Sequence, residues 1–215
     1  MTSHKQTDHW IDAAYRATDR AALEATYNTW AASYDADMLI TGYLHYAVLT
    51  GLVCRHVHRK DATILDAGVG TGALGSLLNL LGYNNLSGID MSAGMLARAQ
   101  ERKCYSDLRQ MVLGEKLDFV DQSFDAIIST GTFTEGHAPA SAFDELVRLL
   151  EPDGVMMFTI AGMVWEEQGF KDKLEQMVSA KLLKLVEITP PYQPMPFSPA
   201  ESHVTTRAHV YRKVA

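Results

Sequence analysis

ILDAGVGTGALGSLLNLLGYNNLSGID, residues 64–90, decides the fold. A short apolar run ends in an acid, Asp66. A glycine-dense turn follows at Gly68, Gly70, Gly72 and Gly75, then a helical pattern that turns Leu74, Leu77, Leu78 and Leu81 inward. A second apolar run, 86–89, ends in a second acid, Asp90. This is a strand–turn–helix–strand unit with a carboxylate at the tip of each strand. Ligands of open parallel sheets bind outside the carboxyl ends of the strands, so both acids are expected to face one ligand.

Outward from this unit the alternation continues. Strands are expected at 62–66, 86–90, 107–112, 124–129 and 154–160, with helices at about 72–82, 92–103 and 138–151. Ser92 suits an N-cap, and Pro152-Asp153-Gly154 a turn before the fifth strand. Such alternation implies a parallel sheet with right-handed crossovers. A further helix is expected at about 166–180. Strand-like runs at 182–188 and 203–211 flank a proline-rich segment, 190–196, that no central strand tolerates; they are expected to pair antiparallel at a sheet edge. Upstream, residues 1 to about 9 are polar and expected to be mobile. Asp19 is positioned to cap a helix ending near Tyr34, with Tyr27, Trp30 and Tyr34 on one face. A second helix is expected after Thr41-Gly42, through Val57. The expected organisation is one domain over 1–215: a helical cap segment, 1–60, and an α/β core, 61–215.

The chain has 215 residues, 47% hydrophobic and 21% charged, with a net charge of −7. An acidic chain without a basic block argues against a nucleic-acid partner. The densest basic cluster, Arg55 to Lys60, reads as a solvated helix end. Cys54 and Cys104 fit neither a zinc nor a redox pattern and are expected to be buried free thiols. The histidines are scattered, so no metal site is expected. The first ten residues lack an apolar signal region, and no run approaches a membrane span. A cytoplasmic protein without a membrane partner is the expectation; the oligomeric state is left open.

Gly70-Thr71-Gly72-Ala73-Leu74-Gly75 matches the dinucleotide pattern G-x-G-x-x-G, which is weak evidence alone. The glycines begin too early, and Asp66 would repel a pyrophosphate at the helix N-terminus by a few kcal/mol. A carboxylate there suits a cation, an ammonium or backbone amides. S-adenosylmethionine offers a sulfonium, an α-ammonium and a ribose. Asp90 can accept both ribose hydroxyls, and Met91 can pack on the adenine.

Asp66-Ala67-Gly68-Val69-Gly70-Thr71-Gly72 resembles the D-x-G-x-G-T-G motif of class I methyltransferases. The segment Gly88–Ala99 resembles their G-x-D-x-S-x-x-M-L-x-x-A segment, and Ser123–Ile127 and Leu150–Gly154 extend the likeness over about 60–160. The resemblance implies a Rossmann-like seven-stranded sheet, order 3-2-1-4-5-7-6 with strand 7 antiparallel, helices on both faces, and S-adenosylmethionine as cofactor. It implies contacts from Asp66, Ala67, Gly68, Gly70, Thr71, Gly72, Asp90, Met91 and Met95. Many class I enzymes carry an Asp after strand three that meets the adenine amino group; this chain does not, and Leu113, Gly114 and Glu115 are expected to take its place. Residues 27–38, Gly42-Tyr43 and Thr130–His137 are similar to the methyltransferase-like family of the Williams–Beuren chromosomal region. That likeness adds Tyr27 and Tyr34 as candidates to close over the cofactor, with Thr130 and Gly131 beneath.

Methyl transfer from a sulfonium needs positioning and desolvation, and a base only when the nucleophile is protonated. Glu135 and His137 are the candidates to orient or deprotonate an acceptor, set against His137 as a cap of the helix at 138. Tyr43, His45 and Tyr46 are candidates to line an acceptor pocket, and Tyr192 and Met195 to form a lid. The expected function is methyl transfer to a small-molecule acceptor. The alternatives are a protein or RNA methyltransferase, disfavoured because Ser129–Thr132 is not an Asn/Asp-Pro-Pro-Tyr motif, and a non-catalytic S-adenosylmethionine-binding module.

Overall fold

Ile64 and Leu65 point to opposite faces of one strand, and neither is exposed. Ala126 and Ile127, and Met156 and Met157, divide in the same way. Strands covered on both faces read as continuous apolar runs. The computed structural model describes residues 4–215. Its sheet comprises β1 (Ile64–Ala67), β2 (Leu86–Asp90), β3 (Asp107–Gln110), β4 (Phe124–Phe133), β5 (Leu150–Ala161), β6 (Leu183–Ile188) and β7 (Thr206–Lys213). The order is β3-β2-β1-β4-β5-β7-β6, as the resemblance implied. β1 to β5 pair in parallel, and β7 runs antiparallel to both β5 and β6.

Helices α1 (His4–Tyr15), α2 (Arg20–Trp30), α3 (Tyr34–Thr41) and α4 (His45–His56) precede the sheet. α5 (Ala73–Leu80), α6 (Ala93–Glu101) and α7 (Ala142–Leu149) fill the crossovers, and α8 (Val164–Glu167) and α9 (Phe170–Ser179) follow β5. α4 and α5 cover one face through Leu49, Val53, Leu74 and Leu78. α7 and α9 cover the other, where Phe133, Phe143, Phe158 and Phe170 pack with ring centroids 4.7–6.3 Å apart. Among the described residues no single helix is long and apolar enough to cross a membrane.

Several boundaries differ from expectation. The polar start read as mobile is helical from His4 onward, and residues 1–3 lie outside the described residues. The helix expected to reach Tyr34 stops at Trp30, although Asp19 caps it by accepting from the Ala22 amide. The Asp37 carboxyl accepts from Trp30 Nε1 (2.7 Å) and Ser33 Oγ (2.9 Å), turning the chain into the unforeseen α3. The helix placed at 138–151 begins only at Ala142; Pro139 opens a turn in which Ala142 N–H donates to its carbonyl. The helix placed at 166–180 breaks at Gly169, whose φ is +73°. The turn at 152–154 lies inside β5 as a bulge, since Leu150 pairs with Phe124 but Val155 with Ala126. Asp153 sits there at φ +61°. Cys104 is buried, whereas Cys54 is exposed on α4. The basic cluster is spent locally: Arg55 and His56 pair with Glu187, and Lys60 lies 3.6 Å above the Tyr83 ring.

Asp37 is fully buried and also accepts from Thr7 Oγ1 at 3.0 Å. Removing it takes the acceptor from Trp30 Nε1 and Ser33 Oγ beside an apolar cluster. Asp37→Ala is expected to lower unfolding free energy by about 3 kcal/mol, and Asp37→Asn by less. Urea titration of the three proteins checks this; an alanine variant as stable as the parent would contradict it.

Candidate functional site

The carboxyl ends of β1, β2 and β4 form the floor of the site. Asp90, last in β2, accepts from the Gly70 amide through Oδ2 (2.8 Å) and from the Ser92 amide through Oδ1 (2.9 Å). Its carboxyl therefore pins the glycine turn to the start of α6. Ser92 caps α6 by accepting from Met95 N–H at 3.1 Å. Two glycines are required by the geometry. Gly68 has φ +83°, and a Cβ there would lie 2.4 Å from Thr132 Oγ1. Gly72 has φ +77° and packs on the Ala99 backbone, where a Cβ would come within 3.1 Å. Ser129 Oγ donates to the Ala67 carbonyl at 2.6 Å, tying β4 to β1 beneath the turn.

Asp66 lies lower than expected. It is buried and does not line the cavity above. Its Oδ2 accepts from Tyr105 Oη (2.7 Å), which in turn accepts from the Gly75 amide, while Oδ1 has no partner. Burial raises the Asp66 pKa to about 7, against the lowering effect of the Tyr105 hydrogen bond. Burial also raises Asp90 to about 6, against its backbone hydrogen bonds.

Above this floor lies a cavity of about 430 Å³, within the size range of small-ligand sites. Gly68, Gly70, Asp90, Met91 and Met95 line its base. Leu113, Thr130 and Gly131 form one wall, and Tyr27, Tyr34 and His137 close the end. The remaining candidates are outside. Ala67 is buried within β1. Thr71 donates to Asp35 Oδ1 (2.5 Å), and Gly72 is the N-cap of α5. Gly114 packs toward Pro139, and Glu115 turns to the surface to pair with Arg20. Glu135 is exposed, and only its backbone carbonyl reaches the site.

A second chamber of about 60 Å³ adjoins the first and shares Tyr27, Tyr34, Gly131 and His137 with it. Tyr15, Trp30, Tyr43, His45 and Met195 are among its other walls. Tyr46 and Tyr192 lie outside it; the Tyr192 hydroxyl is 2.7 Å from His45 Nδ1, and its backbone pairs with Thr206 of the chamber wall. Burial lowers His45 to about 3. The 190–198 loop is fastened over this chamber: Leu44 N–H donates to the Pro194 carbonyl and Phe197 N–H to that of Thr41. His137 is not a helix cap. Its Nδ1 lies 2.6 Å from the Glu135 carbonyl and its Nε2 2.8 Å from Tyr27 Oη.

Sequence reasoning missed several wall residues. Residues 17–19, between α1 and α2, and Arg20 at the start of α2 edge the larger cavity, which Met111, Val112 and Pro139 also line. Asp19 was visible only as a helix cap. Tyr15 and the buried Glu201, which meet through a 3.3 Å hydrogen bond, carried no signal, being single residues at opposite ends of the chain.

Residues 65–158 match the methyltransferase domain family. The chain is 33% identical over 177 residues to methyltransferase-like protein 27 of Homo sapiens, covering 77% of this chain and 71% of that protein. It is 29% identical over 177 residues to a malonyl-acyl-carrier-protein O-methyltransferase of Acetivibrio thermocellus, covering 81% of this chain but 60% of that enzyme. In fold it is similar to geranyl diphosphate C-methyltransferase of Streptomyces coelicolor, with a TM-score of 0.60 at 13% identity over 78% of this chain and 77% of that one. The glycine turn between two strand-end acids and the sheet order agree with these likenesses. The chain belongs to the S-adenosylmethionine-dependent methyltransferases, in the methyltransferase-like family of the Williams–Beuren chromosomal region.

Proposed function

We propose that the chain methylates a small-molecule acceptor, with the larger cavity holding S-adenosylmethionine and the second chamber the acceptor. The observation that carries this reading is the shared wall: Tyr27, Tyr34, Gly131 and His137 border both spaces. A methyl group crossing between them would pass these residues. The cradle fits the donor. Gly70 faces open space, where a Cβ would meet nothing within 4 Å, and Asp66 Oδ1 is a buried oxygen without a partner beneath the turn. Asp90 would accept the ribose hydroxyls, with Met91, Met95 and Leu113 against the adenine. Asp66 would act from below, through the turn and its charge. A chamber of about 60 Å³ suits a compact acceptor more than a polymer segment. Of the two acid–base candidates only His137 lines the chambers, so the reading rests on His137 and not on Glu135.

Methyl-labelled S-adenosylmethionine incubated with fractions of a metabolite extract tests the reading. Label in a low-mass product is expected; label confined to polypeptide or RNA would refute a small-molecule acceptor.

Asp90→Ala is expected to weaken S-adenosylmethionine binding by about 1–3 kcal/mol. Calorimetry on the folded variant, verified by its melting curve, measures this. The affinity is also expected to depend on pH. The Asp66 and Asp90 pKa values are raised to about 7 and about 6, and a cationic, hydroxyl-bearing ligand favours the ionised forms. Binding therefore releases protons, and the affinity should be full above pH 7 and fall as the pH drops through about 7 and then about 6. Titrations in buffers of different ionisation enthalpy report the released protons; an affinity that rises on acidification would contradict the assignment.

A further inference from the structure

The tautomer of His137 is set by its neighbours. A carbonyl oxygen only accepts, so the 2.6 Å contact to the Glu135 carbonyl places a proton on Nδ1. In the neutral ring Nε2 then carries a lone pair, and Tyr27 Oη donates to it at 2.8 Å. Burial holds the imidazole below the ordinary histidine pKa, against the raising effect of that carbonyl. The ring is thus neutral at pH 7 with its basic nitrogen aimed at a phenol that borders both chambers. The Tyr27 phenol is pushed well up by burial, so it serves as a proton carrier and not as a standing phenolate.

The second chamber also selects by charge. Among the described residues lining it there is no Lys or Arg. Its titratable groups are Tyr15, Tyr27, Tyr34, Tyr43, His45, His137 and Glu201, and burial raises the Glu201 carboxyl. From outside the chamber Asp90 bears on Tyr27 and Tyr34, Asp35 on Tyr34 and Glu135 on Tyr15, all of them acids. Nothing there compensates an anionic acceptor such as a carboxylate or phosphate, whose burial without a partner is costly.

A preset base distinguishes among uncharged nucleophiles. An amine attacks through its free lone pair and sheds its proton to water afterwards. A hydroxyl must lose its proton as the bond forms, because the oxonium is too acidic to persist. Building on the small-molecule reading, we infer that the acceptor is an uncharged hydroxyl compound, and that the Tyr27–His137 pair removes its proton during transfer. The acceptor oxygen attacks the methyl carbon, forming the O–CH3 bond as the S–CH3 bond breaks and its electron pair returns to sulfur. The hydroxyl proton moves to Tyr27 Oη while the Tyr27 proton moves to His137 Nε2. The positive charge passes from sulfonium to imidazolium, and the total is conserved. Tyr27 touches the acceptor; His137 acts through it.

Four measurements test this. Nitrogen-15 NMR of the protein alone should show His137 neutral and protonated on Nδ1 at pH 7; an Nε2-protonated ring or an imidazolium overturns the relay. With S-adenosylmethionine carrying a carbon-13 methyl and a fractionated metabolite extract, the product methyl should resonate as an O-methyl. An N-, S- or C-methyl product overturns the hydroxyl assignment and leaves small-molecule methylation standing; absence of any low-mass labelled product overturns both. On the acceptor so found, Tyr27→Phe and His137→Gln should each lower kcat by about 100-fold or more, with the KM for S-adenosylmethionine changed far less. The parent's kcat should fall on acidification below the ordinary histidine range, a limb that His137→Gln lacks. Variants with parental kcat, or a limb that persists in His137→Gln, overturn the proposal.

Discussion

Two oxygens of one side chain set the relation between the parts of this molecule. The Asp90 carboxyl accepts from Gly70 on the turn after β1 and from Ser92 at the head of α6. Ser92 Oγ, itself the cap of α6, donates to Asn28 Oδ1, which also receives the Gly94 amide. Through this chain of contacts the tip of β2 fixes the glycine turn, α6 and α2. A Cβ at Gly94 would lie 2.8 Å from the Asn28 carbonyl oxygen, so the approach of α2 depends on that glycine as well.

The same region holds two carboxyls in surroundings that disfavour their charge. Among the described residues neither Asp66 nor Asp90 has a basic partner; each is held by neutral donors, and burial raises both. An apolar surround without a counter-ion favours protonation. In the proposed reading the missing charge is supplied by the guest, which explains why a stable core retains an acid with an unpaired buried oxygen.

The parallel core was legible because its pattern is local. Each strand is a short apolar run, each crossover has a helical period, and the acids and glycines of 64–90 lie within a single unit. Asp90, Met91 and Met95 line the cavity as their places at and after the tip of β2 suggested. Asp66 was read as facing the ligand because a strand-end position specifies a level and not a direction; the Tyr105 hydroxyl, on a distant segment, takes its Oδ2 below the floor. The break after Trp30 was illegible for a similar reason. The 27–34 spacing is a good helical face, and only the three-dimensional capture of Trp30 Nε1 by Asp37 ends the helix. Glu201 and Tyr15 meet across 186 positions, a pairing that no local pattern encodes.

The loop at 190–198 and the cap helices have a consequence for how such a chain diversifies. The strands and turns under the larger cavity come from one continuous stretch, whereas the second chamber is roofed by pieces from both ends of the chain, joined by contacts such as Leu44 to Pro194. Substitutions in the outer pieces, Asn28 excepted, reshape the roof without touching the residues that Asp90 holds. Chains sharing this core are therefore free to exchange one guest for another while keeping the same donor, and most of that variation should fall before β1 and after β5.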